Sequence, residues 1–277
     1  MVEKDGFLIF ECDKDEKGRE IINYSQKNNG LVFPNPKTYP NAQYVTSWKN
    51  TCNVTSYVMA LDYAGAKFPT GPYPQDEDNL GYFILTNKDV LDAYKENQPV
   101  MYNTWQRSIL GKCTKAEIEK VGIYPPNELH DYISLGANLW LGYSASKFSI
   151  NVNFKKALWD NMVRDNLPLV ISTTFGGLGH IVCVTGVEYK KDDYIALNSA
   201  ESIKASNFDE LINATNPVGI IVDDPWGKYN PKTNKYDAPN GGNDIFIPWD
   251  VVISRVKPAK STITKWCHTF KHGMATI

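Results

Sequence analysis

The chain lacks most of the features that would place a protein quickly. Its five cysteines, Cys12, Cys52, Cys113, Cys183 and Cys267, form no CxxC pair. So odd and sparse a set argues against a disulfide framework and leaves room for a free reactive thiol. Charge of either sign is not in excess: 29 Lys and Arg stand against 31 Asp and Glu, for a formal net charge of -2. With no broad positive field, a nucleic-acid partner has no electrostatic support. The N-terminus, Met1-Val2-Glu3-Lys4-Asp5-Gly6, has no basic run leading into an apolar one, so a secretory signal is not expected and a cytoplasmic site of synthesis is. Long apolar runs are also missing. The longest uncharged stretch, 167–187, holds Pro168, four glycines and His180, and reads as two strands and a loop, with no integral membrane segment.

What is present is an ordinary globular composition, 42% hydrophobic and 22% charged, on a chain of 277 residues that suits one large domain or two small ones. Residues 1–40 read as a lead-in packed on the same domain, with a short hairpin pairing 7–10 with 20–22 around a solvated turn at 13–19. Pro34, Pro36 and Pro40 mark an extended approach to Cys52. From there Val54, Tyr57, Val58, Leu61 and Ala64 recur at helical spacing, predicting a helix with one buried stripe that Gly65 stops. A Pro/Gly-rich loop is expected over 68–81.

Between about 87 and 142 the pattern is helical. Asn87 or Asp89 offers a cap, and Thr114 with Glu117 a capping box. One helix is expected over 127–141 and another over 153–165, carrying Phe154, Leu158 and Met162. After Pro168 the character changes: Leu169–Thr173, 180–189, 194–197 and Gly219–Asp223 are short, apolar and β-branched, which predicts strands. The segments 245–248 and 263–270 add strands or a closing helix, and Lys190-Lys191-Asp192-Asp193 reads as a hairpin turn. Helices first and strands later predict an α+β fold.

Two positions carry chemistry. Cys52 opens a predicted helix, where the N-terminal dipole and a nearby imidazolium lower a thiol pKa; taken alone, a small buried cysteine is the commoner reading. His180 follows Gly176-Gly177-Leu178-Gly179 and heads an apolar strand, 128 residues after Cys52, at the edge of the spacing that cysteine nucleophiles and their histidines keep. An acceptor must fix the imidazole tautomer, and Asp224, its neighbour Asp223 and Asn198 compete for that role. An oxyanion donor upstream of the thiol is sought in Gln43 or Asn50. A zinc reading of Cys267, His268 and His272 lacks a second ligand pair, so no metal is expected, and Gly176–Gly179 lacks the helix that a dinucleotide loop requires.

Together, Thr51-Cys52-Asn53-Val54-Thr55-Ser56 with Met59 and Tyr63-Ala64-Gly65, then Gly179-His180-Ile181-Val182 with Thr185-Gly186-Val187, then Asp224-Pro225-Trp226-Gly227, resemble the C39-like peptidase family of the papain-like superfamily. The likeness covers roughly residues 40 to 250. It implies a papain-like catalytic domain over 41–277 with a helical insert at about 87–142. The nucleophile helix would be buried against an antiparallel sheet. Cys52 is implied as nucleophile, His180 as base and then acid, and Asp224 as the residue orienting the imidazole. No cofactor is implied. The implied substrate is a peptide, foremost in peptidoglycan, since similar proteins include the wall-active endopeptidases and amidases of bacteria and phage endolysins. An intracellular bacterial protease and an inactive papain-like binding protein are the alternatives. Two departures stand out: Thr46 occupies the place of the family's oxyanion Gln, six residues before the thiol, and the His180–Asp224 interval is long.

Overall fold

The computed structural model describes residues 1–12, 24–142, 152–177, 179–256, 264–265 and 267–270. The chain divides into two compact units, one of Met1–Tyr24, Met59–Ala66 and Lys147–Ile277, the other of Ser25–Val58 and Lys67–Ser146. The lead-in expected over 1–40 is thus shared between the units, and the helical stretch 87–142 falls within the second.

The second unit is helical. It takes the start of α1 (Cys52–Tyr63), then α2 (Asp76–Thr86), α3 (Lys88–Asn97), α4 (Pro99–Ile109), α5 (Lys115–Val121) and α6 (His130–Trp140). Asn87 caps α3 by accepting from the N–H groups of Asp89 and Val90, and Thr114 with Glu117 closes the capping box of α5. Pro99 opens α4, where its missing N–H costs nothing. Tyr94 packs edge-on against Tyr132 at 5.1 Å and beside Trp105, with Leu80, Ile84 and Ile133 also buried.

Two expectations change here. Helix α1 is buried from Asn53 to Leu61 on every face, where the spacing predicted one stripe; a helix apolar or satisfied all round is a core helix. The loop expected over 68–81 ends early, because Asp76, Glu77 and Asp78 form the acidic first turn of α2. Gly81 sits inside that helix since a Cβ there would fall 2.9 Å from Leu31 Cδ2.

The first unit is built on antiparallel strands: β1 (Val2–Lys4), β2 (Phe7–Glu11), β3 (Val152–Asn153), β4 (Leu169–Thr173), β5 (His180–Lys190), β6 (Gly219–Asp223), β7 (Lys228–Asn230), β8 (Lys235–Ala238), β9 (Ile245–Pro248), β10 (Thr264–Lys265) and β11 (Cys267–Thr269). Seven form one sheet. β5 is its hub, pairing with β2, β4 and β6; β1 continues beyond β2, β11 beyond β4 and β9 beyond β6. Strands β7 and β8 make a separate hairpin, and β3 pairs β10. Strands β4 and β6 are buried throughout and β5 over its first eight residues, the mark of strands covered on both faces.

The helices of this unit are α7 (Phe154–Ala157), continued as π-helical turns over Leu158–Arg164, then α8 (Lys191–Ser202), α9 (Phe208–Ala214) and α10 (Trp249–Arg255). Phe154, Leu158 and Met162 are buried, as the periodicity predicts. Mixed helices and antiparallel strands make the class α+β.

The strand expected at 194–197 is instead part of α8, and the charge run before it is that helix's first turn, with Asp192 and Asp193 favourably placed at the N-terminus. Of that apolar quartet only Leu197 is fully covered. The predicted hairpin is corrected in part: 7–10 is strand, paired with β1 and β5, while its expected partner 20–22 and the turn 13–19 lie outside the described residues. Among the described residues no helix is long and apolar enough to cross a membrane.

Candidate active site

Cys52 is the first residue of α1, and of the five thiols it is the one that is partly exposed; the others are buried. The first turn is held from two sides. Thr55 N–H bonds to Thr51 C=O at 2.9 Å, and Asn29 Nδ2 donates to Thr51 Oγ1 (2.8 Å) and Thr55 Oγ1 (3.0 Å). Val54 N–H is taken by Asn53 Oδ1 at 2.9 Å, and the N–H groups of Cys52 and Asn53, ahead of the first backbone bond of the helix, present positive potential at that end.

The two oxyanion candidates are otherwise engaged. The Gln43 amide donates to Cys113 C=O and its Oε1 accepts from Cys113 N–H at 2.9 Å, a two-point clamp on the carboxamide. Asn50 stands in the 3₁₀ turn Trp48–Asn50, and its Nδ2 donates to Glu128 Oε1 at 3.2 Å and lies 3.4 Å from Tyr44 Oη. Thr46, six residues before the thiol, is buried and pairs through its backbone with Phe33.

In the other unit, His180 opens β5 opposite Thr173 of β4. Its Nε2 lies 2.7 Å from Asp224 Oδ1, and both side chains are buried. Asp224 is met by two further donors: Trp226 N–H reaches Oδ1 at 2.8 Å, the Asx turn that Asp-Pro-Trp prescribes, and Tyr236 Oη reaches Oδ2 at 3.0 Å. Its backbone N–H bonds to Gly242 C=O at 2.7 Å, and Gly242 is obligatory there because a Cβ would fall 2.0 Å from the Asp224 carbonyl. The Tyr236 ring meets the imidazole edge-on, 6.1 Å between centroids.

The hairpin carrying Tyr236 is tied to the turn before His180. Asn234, at φ 54°, accepts through Oδ1 from Tyr229 Oη (2.9 Å) and Gly176 N–H (3.2 Å), and Tyr229 stacks on Phe175 at 4.2 Å. The motifs around Gly176 and Asp224 thus converge through residues that sequence reasoning missed. A weak signal existed: Tyr229 and Tyr236 flank turn residues in Tyr-Asn-Pro-Lys-Thr-Asn-Lys-Tyr.

The rival acceptors are placed elsewhere. Asp223 turns away, as the next residue of a strand must, and accepts from Tyr63 Oη of α1 (2.5 Å) and Asp244 N–H (2.9 Å). Asn198 stands exposed on α8, and Asp224 is the residue that meets the ring. The zinc reading needed histidines on a helix, but Cys267 and His268 are neighbours on strand β11 and so face opposite ways, while His272 lies outside the described residues. Burial pulls His268 down to about 3, which keeps it neutral. Among the described residues no group of three or more His, Cys, Asp or Glu is placed to hold a metal ion.

With a carboxylate on Nε2, the imidazole carries its proton there, and Nδ1 is its basic nitrogen. Comparison with known families gives one match: the model of the Peptidase_C39 like family covers residues 19–240. Among curated proteins and among solved structures, none matches the chain.

Proposed function

The chain belongs to the Peptidase_C39 like family and is a cysteine peptidase; from that premise we propose that Cys52, His180 and Asp224 form its catalytic triad on a papain-like fold. The observation that carries this reading is the buried 2.7 Å bond from His180 Nε2 to Asp224 Oδ1, with the carboxylate held by Trp226 and Tyr236.

In this reading, His180 Nδ1 takes the Cys52 thiol proton, and the thiolate attacks the scissile carbonyl carbon. The oxygen that becomes negative is stabilised by N–H groups of the first turn of α1. The tetrahedral adduct collapses to a thioester as the imidazolium gives its proton to the leaving amine. Water, deprotonated by His180, then attacks the thioester, and Cys52 leaves as the thiol with that proton. Asp224 keeps the ring in the required tautomer throughout.

The bond cleaved is an amide, and we assign the peptide part of peptidoglycan as substrate, for an endopeptidase or amidase of the endolysin type. The test is digestion of purified bacterial sacculi beside a denatured protein substrate, with native protein and Cys52→Ala. New amino groups released from sacculi by the native protein alone are expected. Cleavage of the denatured protein alone points to a general protease, and equal activity in Cys52→Ala sinks the triad.

A further inference from the structure

The segment that leads into Cys52 is fastened by a carboxyl that the mechanism above does not use. Tyr44 and Asn50 stand eight and two residues before the thiol. Glu128, at the end of the 3₁₀ turn Pro126–Glu128, receives both on one oxygen: Tyr44 Oη donates to Oε1 at 2.8 Å and Asn50 Nδ2 at 3.2 Å. The third side of the triangle, Asn50 Nδ2 to Tyr44 Oη, is 3.4 Å. The turn Trp48–Asn50 closes on the backbone bond from Asn50 N–H to Ser47 C=O at 3.0 Å, and Lys49 and Asn50 are exposed. Beyond the thiol, Asn29 grips Thr51 and Thr55. Cys52 is therefore bracketed within one unit, by Asn29 on the helix and by Glu128 on the approach.

We propose that Glu128 is a positioning residue for the nucleophile: by holding Tyr44 and Asn50 on one oxygen, it sets the direction in which the chain enters α1 and so where Cys52 stands. The proposal rests on Cys52 being the nucleophile. A cross-link that served stability alone is poorly made from a carboxyl. Burial pushes Glu128 up to about 7, with the bonds from Tyr44 and Asn50 only partly countering it, and an apolar side chain avoids that cost. Acceptor geometry, in contrast, is what a carboxylate supplies to two converging donors.

The test compares Glu128→Ala and Glu128→Gln with native protein in kcat, KM, thermal midpoint and the rate of Cys52 alkylation by iodoacetamide. Glu128→Ala is expected to lower kcat at least about tenfold, with KM within about twofold, since small displacements of a reacting group cost that much. Glu128→Gln still offers an oxygen to both donors and is expected to recover kcat to within about threefold of native. A kcat for Glu128→Ala within about twofold of native, or equal losses in both variants, overturns the proposal. If Glu128→Ala does not fold, Tyr44→Phe combined with Asn50→Ala removes the same two bonds and leaves the carboxyl in place, and the same criteria apply. Full activity in Cys52→Ala defeats the underlying reading; an inactive Cys52→Ala beside a fully active Glu128→Ala defeats the positioning role alone.

Discussion

Three carboxyls, one in the sheet unit and two in the helical unit, keep different company, Asp224 and Glu77 fully buried and Glu128 half-buried. Asp224 is met by three donors, an imidazole nitrogen, a backbone N–H and a phenol. Glu128 is met by two neutral side chains, and burial lifts it to about 7. Glu77 of α2 has one bond, to its own backbone N–H, while its Oε2 is buried without a partner, and burial lifts it likewise to about 7. Burial alone favours the neutral acid, and donors favour the anion. The difference is one of donors: three converge on the carboxyl beside the histidine, two on Glu128, and on Glu77 only its own backbone N–H.

The comparison breaks most sharply at Asp224. Asp224→Ala leaves His180 without the acceptor that fixes its tautomer, and kcat/KM is expected to fall on the order of 10³-fold with the fold retained. Steady-state kinetics together with a thermal melt check this, and a loss under tenfold would remove Asp224 from the triad.

Glu77 is the opposite limit. Its folded-state pKa is raised, so between its ordinary value of 4.5 and about 7 the folded chain holds a proton that the unfolded chain has lost. Stability from this group is present below pH 4.5 and is lost as pH rises toward 7, by about 3 kcal/mol at most. Glu77→Gln is expected to remove that slope and to be more stable than native protein at pH 8. Urea midpoints measured from pH 4 to 8 decide it, and identical slopes in the two proteins would contradict the contrast drawn here.

A finer cut separates the donors of Asp224 from one another. Tyr236→Phe keeps the ring against His180 and deletes one hydrogen bond of three, so kcat/KM is expected to drop about fivefold, the worth of roughly 1 kcal/mol. The pH–rate profile is the discriminating measurement, because a phenol acting only in packing leaves it unmoved.

How much of this was legible in the sequence follows the range of the interactions. The start of α1 at Cys52, the box at Thr114–Glu117 and strands β4, β5 and β6 are written in neighbouring residues and stand where the patterns predict, while the cap falls to Asn87 of the two offered and 245–248 to strand, where strand or helix had been open. The pairing of His180 with Asp224 was reached by motif, across 44 residues. The apolar quartet 194–197 misled because four residues do not distinguish the two periods, and only its setting behind Asp192 and Asp193 makes it helix. The two-point bond of Gln43 to Cys113 was not legible, because its partner lies 70 residues away. Glu128 and Tyr236 were invisible for the same reason: each acts through a side-chain bond that exists only once distant turns have been placed.

One consequence of the cysteine distribution concerns oxidation. Four thiols are sealed in cores and one stands partly open. Among the cysteines, an oxidant reaching this protein therefore meets Cys52 first. A sulfenic acid at Cys52 finds its resolving thiol in a small molecule or another chain, since the other four cysteines are buried. In the triad proposed above, oxidation of Cys52 stops turnover, and a reducing thiol restores it without any step of refolding.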